Sequence, residues 1–236
     1  MIPLRDANPT TRTPWVTLGL IAINAAAFFL WEPITGSLQE QQVFFVCEGA
    51  IPQELSSFRT IPVLANECPG GKSVLVSLFT SMFLHGGFLH LAGNMLYLWV
   101  FGNNIEDRMG PIPFLVFYLA AGIVAAYAQV LPDPDSLTPL VGASGAIAGA
   151  LGAYLVIFPH ARVLTLVPIF FFLQLIELPA ILVLGFWFVL QALQGVGSLQ
   201  AETGVAWFAH IGGFVFGAAI ALLFYRRRPA QPSYRY

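Results

Sequence analysis

Charge is what this sequence has least of. Its 236 residues include 10 Lys and Arg and 12 Asp and Glu, only 9% charged, where a soluble domain carries about a quarter. That scarcity excludes an ordinary soluble globular domain, and the lack of any basic patch argues against a nucleic-acid partner. Cysteine is nearly absent as well, with Cys47 and Cys68 standing alone. Two cysteines without a neighbouring histidine argue against a zinc site. No convincing internal repeat is present, which argues against a stacked array. What is abundant is apolar: 57% of the chain is hydrophobic, gathered into long runs between short polar clusters. The runs are continuous rather than alternating, which argues against a β-barrel.

A helix needs roughly 20 apolar residues to cross the hydrocarbon core. Six segments qualify: Trp15–Trp31, Gly87–Ile105, Ile112–Leu131, Leu140–Phe158, Leu178–Gly195 and Val205–Tyr225. The expectation is an all-α polytopic membrane protein, a single domain over 1–236 with six transmembrane helices. Two further apolar stretches, Leu75–Phe83 and Val163–Leu175, are expected to form re-entrant or interfacial helices. The longest non-spanning region, 32–86, is expected to be a partly submerged outer loop with structure of its own. Pro132-Asp133-Pro134-Asp135 breaks the chain between the third and fourth helices, and Gly195-Val196-Gly197-Ser198 opens a flexible connection, a candidate lid, before the sixth.

Orientation follows from the cations. With six crossings, Arg5, Arg12, Arg108, Arg162, Arg226, Arg227, Arg228 and Arg235 fall on one side. The other side receives Arg59 and Lys72 against Glu32, Glu40, Glu48, Glu54, Glu67, Asp133, Asp135 and Glu202. Both termini are therefore expected to be cytoplasmic. The first apolar run has a long polar lead and carries Ala25–Ala27 inside it rather than after it, which fits an uncleaved helix better than a signal peptide. Cys47 and Cys68 share the first outer loop. In an oxidising compartment they would close about 20 residues in a disulfide contributing roughly 3 kcal/mol; the alternative is two free thiols.

Two polar residues near the outer ends of apolar runs carry the chemistry: Ser144, in Gly142-Ala143-Ser144-Gly145, and His210, in Ala209-His210-Ile211-Gly212-Gly213. A membrane serine alone is usually a packing residue, whereas an ionisable histidine at membrane depth is expensive and usually functional. Small residues align with both. Ser144, Ala148 and Gly152 lie at i, i+4 and i+8, with Gly145 and Gly149 on the next row; His210, Gly213 and Gly217 lie at i, i+3 and i+7. Such faces let membrane helices pack backbone to backbone, bringing serine and imidazole within reach as nucleophile and base. Ser144 is expected about three residues below its helix start and His210 about five, both roughly 5–8 Å deep. No acid is placed to complete a triad, so a Ser–His dyad is expected. Partial desolvation would favour the neutral, proton-accepting imidazole. His90 and Asn94, at i and i+4 on the second helix, and the Ser144 amide at a helix N-terminus are candidate oxyanion donors.

These residues resemble the rhomboid family of intramembrane serine proteases, over nearly the whole chain. The opening Met1-Ile2-Pro3-Leu4-Arg5-Asp6 with Asn8-Pro9 is similar to that of many bacterial members. His85-Gly86-Gly87 and His90-x-x-x-Asn94 resemble the start of the family's second helix, and Glu106-x-Arg108-x-Gly110 its cytoplasmic end. Gly142-Ala143-Ser144-Gly145 resembles the nucleophile motif, and Ala209-His210-x-x-Gly213-x-x-x-Gly217 the base motif. The resemblance implies Ser144 as nucleophile, His210 as general base and then acid, and His90 and Asn94 in the oxyanion hole. It implies structural roles for Glu106 and Arg108, tying the second helix to its cytoplasmic loop. It further implies transmembrane protein substrates cut near their outer ends, lateral access beside the fifth helix, no metal and no cofactor, and residence in a cell membrane, that of a bacterial cell, with the site toward the outer face.

Two positions depart from the family pattern. Val76 and Ser77 stand where many members carry Trp-Arg, so the outer loop needs another anchor, for which the cysteines are candidates. Ala148 stands where some members place an aromatic residue against the histidine, so another side chain must support the ring. The rival readings are a non-proteolytic relative that binds membrane clients and a transporter using His210. The first usually lacks the serine or histidine; the second would carry more polar groups and broken helices at mid-membrane.

Overall fold

The structure is a computed structural model describing residues 1–68, 70–169, 172–198 and 205–225. The expected cations Arg226, Arg227, Arg228 and Arg235, and Glu202 in the connection before the last helix, lie outside the described residues. Apolar runs set the main elements. They are α1 (Trp15–Trp31), α6 (Phe88–Met109), α7 (Pro111–Val130), α8 (Ser144–Ile157), α9 (Ala180–Ser198) and α10 (Trp207–Phe224). By length and composition α7, α9 and α10 are sufficient to cross a membrane, and α6 joins them when taken with the bent segment before it. The centre belongs to α8, where every residue from Gly145 to Tyr154 is buried. A helix apolar all round is a core helix, and α8 is enclosed by α7, α10 and the inner face of α6. The outer helices leave Leu30, Leu89, Ile112, Leu193 and Leu223 exposed, a surface suited to lipid.

Residues 32–86 form four helices: α2 (Leu38–Glu48), α3 (Pro52–Ser57), α4 (Pro62–Ala65) and α5 (Val74–Phe83). Ser37 and Glu40 close a capping box at the start of α2, satisfying two of the orphan amides there. Three ties hold the region. Cys47 and Cys68 form a disulfide; Lys72 Nζ meets Glu54 Oε2 at 2.7 Å in a fully buried ion pair; and Ala50 bridges Leu140 before α8. They anchor the region that holds Val76 and Ser77. From α5 the chain turns by 81° into α6 through Leu84-His85-Gly86-Gly87.

Three expectations are corrected. The all-α class gives way to a mainly helical fold with one antiparallel sheet, β1 (Ile2–Asp6), β2 (Arg162–Ile169) and β3 (Phe172–Pro179), in the order β1-β2-β3. The described residues of Val163–Leu175 are thus antiparallel paired strands and not an interfacial helix. Val163 and Thr165 are buried at period two, with Leu164 and Leu166 half-buried, and Pro168 would break a helix there. Second, Leu140–Ala143 lies outside the helix, with Leu140 in a β-bridge and Ala143 as the cap residue, and α8 begins at Ser144, so the serine is the first helical residue instead of lying about three residues below the helix start. Third, Gly195–Ser198 is the last turn of α9 and not a loop; the connection at 199–204 lies outside the described residues.

The sheet gathers Arg5 and Arg162 at one end of the bundle. There Asp6 Oδ2 accepts hydrogen bonds from Tyr154 Oη (2.6 Å) and Asn104 Nδ2 (2.7 Å), and Asp107 accepts from Thr11 and the Arg12 amide. Burial pushes the Asp6 carboxyl up to about 6, against the lowering effect of the Tyr154 hydrogen bond. Glu106 receives the amides of Val16 (2.9 Å) and Thr17 (2.7 Å) and the Thr17 hydroxyl (2.8 Å). Its partner is therefore the start of α1, not the loop after α6, and it satisfies amides that a helix leaves unpaired. Arg108 Nη2 donates to the Tyr225 carbonyl at the end of α10.

Candidate active site

Ser144 and His210 meet at the opposite end of the bundle from the sheet. His210 Nε2 stands 2.7 Å from Ser144 Oγ, hydrogen-bond distance for a nucleophile and its base. Glycine makes the approach of α8 and α10 possible. A methyl on Gly213 would overlap the Gly145 carbonyl, one on Gly217 the Gly149 carbonyl, and one on Gly152 the Phe214 carbonyl, so both small-residue rows of α8 are used and the backbones touch. Gln129, at the end of α7, accepts the amides of Phe208 (3.0 Å) and Ala209 (3.2 Å). It thereby caps the first turn of α10 just ahead of His210.

The ring is supported by side chains other than Ala148. Trp187 of α9 lies against it at 6.0 Å between centroids, and Trp207 meets it edge-on at 6.2 Å. Its second nitrogen, Nδ1, is 2.6 Å from Gln191 Oε1. Neither Gln129 nor Gln191 was among the candidates. The signal available for both was an amide inside an otherwise apolar helix, which needs a partner wherever water is excluded.

His90 and Asn94 bring the first turns of α6 to the same place. Gly142 has φ +128°, and a Cβ there would stand 3.0 Å from His90 Nε2 and 3.5 Å from Ser144 Oγ. Backbone conformation and the close imidazole both require glycine. The Gly142 amide donates to the Ser81 carbonyl at 2.8 Å, fixing the turn that delivers Ser144. His90 Nδ1 accepts from the Gly86 amide at 3.3 Å, so its Nε2 is the nitrogen left to donate. Asn94 is buried, and among the described residues its Nδ2 has no hydrogen-bond partner. Glu32, at the end of α1, accepts the His85 amide at 2.9 Å and holds the turn ahead of α6. Burial pushes its carboxyl up to about 7 despite that hydrogen bond.

Ser144, His210, His90, Asn94 and Gln191 all line one cavity of about 860 Å³, whose lining also includes Asp133, Ser136 and Ser198. The arrangement provides an alcohol in contact with an imidazole, N–H donors beside it, and a cavity that the α7–α8 connection also lines. That is equipment for acyl transfer.

The comparisons with known proteins agree in kind. A family profile described as Rhomboid domain matches residues 72–227, and the chain belongs to the rhomboid family. It is 37% identical over 149 residues to Rhomboid protease GluP of Bacillus subtilis (61% of this chain, 26% of that one). It is 27% identical over 202 residues to the mouse mitochondrial presenilin-associated rhomboid-like protein (84% of this chain, 46% of that one). Rhomboid protein 1, mitochondrial, of Saccharomyces cerevisiae is 36% identical over 96 residues (39% and 28%). The chain thus spans less than half the length of these relatives. Bacterial and mitochondrial members stand together among them, so a membrane location is common ground and the bacterial plasma membrane is a narrower claim.

Proposed function

We propose that this chain is an intramembrane serine endopeptidase that cleaves transmembrane protein substrates near the outer face by a Ser144–His210 dyad. The observation that carries the reading is the 2.7 Å contact between Ser144 Oγ and His210 Nε2, opening on a cavity at one end of a family-matched apolar bundle. His210 Nε2 takes the Ser144 proton as Oγ attacks the scissile carbonyl, giving a tetrahedral intermediate. His90 Nε2, Asn94 Nδ2 and the Ser144 amide stabilise its oxygen. The imidazolium then protonates the leaving amine, and an acyl-enzyme remains. Water, deprotonated by the same imidazole, releases the acid and regenerates Ser144.

In this proposal α1, α6, α7, α8, α9 and α10 are six crossings, with the sheet and its arginines in the cytoplasm and the reacting pair toward the outer face. Among the described residues Arg5, Arg12, Arg108 and Arg162 lie toward the sheet end, which supports this orientation under the positive-inside rule. The placement in a bacterial plasma membrane is part of the same proposal. The test is cleavage, in liposomes containing the purified chain, of a panel of single-span reporter proteins. Fragments that begin near the outer end of the span, and that vanish with Ser144→Ala, are expected. Intact reporters held tightly by the wild-type chain would instead favour the client-binding reading.

A further inference from the structure

We propose that Gln191 is a positioning residue for His210, the uncharged third member of the reacting array; this rests on the proteolytic reading of Ser144 and His210. Gln191 sits in α9 within the apolar run Phe188-Val189-Leu190-Gln191-Ala192-Leu193, and is 8% exposed. Its Oε1 lies 2.6 Å from His210 Nδ1. A carbonyl oxygen only accepts, so Nδ1 carries the proton and Nε2 presents its lone pair to Ser144. The reverse amide orientation would put the ring proton on Nε2 and leave the base unable to act, so function and hydrogen bonding select the same tautomer. Once Nε2 takes the serine proton, the Nδ1–H···Oε1 bond becomes charge-assisted and strengthens.

A carboxylate would orient the ring as well, at the cost of a buried charge at membrane depth. The amide orients it without one. Other groups on the same cavity are His90 and Tyr97 from α6 and Asp133 from the α7–α8 connection. Among the described residues no carboxylate is hydrogen-bonded to His210, leaving the glutamine as the partner of Nδ1. Gln191 belongs to neither helix that carries a reacting group. The base is therefore aligned only while α9 is seated against α10, a seating made by Phe188 stacked on Phe214 at 4.5 Å and by Trp187.

The test uses the full chain in detergent and the rate at which a fluorophosphonate modifies Ser144, followed across the pH range in which histidine titrates. Gln191→Met keeps side-chain length and removes the acceptor. It is expected to slow modification roughly 10- to 100-fold, the rate equivalent of one hydrogen bond to a charged partner, and to lower kcat on a cleaved reporter with KM unchanged. Gln191→Glu restores an acceptor and adds charge. It is expected to recover most of the rate and to displace the acid limb of the profile to higher pH, because a carboxylate there keeps the proton on the imidazole. A purely structural glutamine would not move that limb, so the Glu variant decides even if the Met variant fails to fold. A Gln191→Met rate equal to wild type, or a Gln191→Glu profile superimposed on wild type, would overturn the role of Gln191 alone. Silence of wild type itself would overturn the proteolytic reading and this proposal with it.

Discussion

Gly217→Ala separates the helix contact that holds the reacting groups from the groups themselves. An added methyl carbon would overlap the Gly149 carbonyl oxygen and stand 2.6 Å from its carbon and 2.8 Å from the Gly149 Cα. Unstrained carbon contacts need about 3.5 Å, so α10 must retreat from α8 by about 1 Å. The atoms met are backbone, and no rotamer change relieves them. Overpacking of this kind costs about 1–3 kcal/mol, offset by about 1 kcal/mol from the better helix propensity of alanine. His210, two turns toward the start of the same helix, moves with it. Its 2.7 Å contact with Ser144 Oγ then opens beyond about 3.5 Å, outside hydrogen-bond range. A misplacement of about 1 Å is worth on the order of 100-fold in rate. The expected outcome is fluorophosphonate modification slowed by about 100-fold, with a stability loss no larger than about 2 kcal/mol. Both are read in one detergent, with Gly185→Ala as the control, since a methyl there meets nothing within 4 Å. Equal rates in the two variants would mean that the α8–α10 approach does not hold the pair in place.

Glu106→Ala strips three hydrogen bonds from the start of α1 and is expected to cost roughly 2–3 kcal/mol; an unchanged thermal midpoint would contradict that. Removing the Cys47–Cys68 link, which closes a separation of 21 residues, by reductant or by Cys47→Ser is expected to cost about 3 kcal/mol. A midpoint insensitive to reductant would refute the link. Asp6 rises from an ordinary 3.8 to about 6, so between those values the folded chain binds more protons than the unfolded one. Stability is therefore expected to fall as pH rises through that window. Asp6→Asn, which still offers Tyr154 and Asn104 an acceptor, is expected to flatten the dependence, and identical slopes in midpoint against pH would contradict it.

The main helices were legible because apolar length alone announces them: Trp15–Trp31 keeps its bounds, and Ile112–Leu131 is offset by a single residue from Pro111–Val130. The pairing of Ser144 with His210 was legible from small residues at helical spacing on both segments. What failed was the reading of short apolar stretches, which do not distinguish strand from helix by composition. The described residues of Val163–Leu175 are strands because β1, distant in sequence, supplies the partner for β2. The apolar side chains of Leu140–Ala143 suggest helix and hide two non-local contacts, Leu140 with Ala50 and Gly142 with Ser81. The capping box at Ser37 and Glu40 was readable and would have placed α2 within the outer segment. Gln191 is hidden in the sequence because the third member of such an array is ordinarily an acid. An amide satisfies the same geometry at membrane depth without the charge.

The most direct measurement is peptide mass spectrometry of the purified chain after fluorophosphonate treatment, for wild type, Ser144→Ala and His210→Ala. A dyad predicts one adduct, on Ser144, absent from the serine variant and lost or nearly lost from the histidine variant. An adduct on another residue, or a Ser144 adduct undiminished by His210→Ala, would contradict the assignment of nucleophile and base.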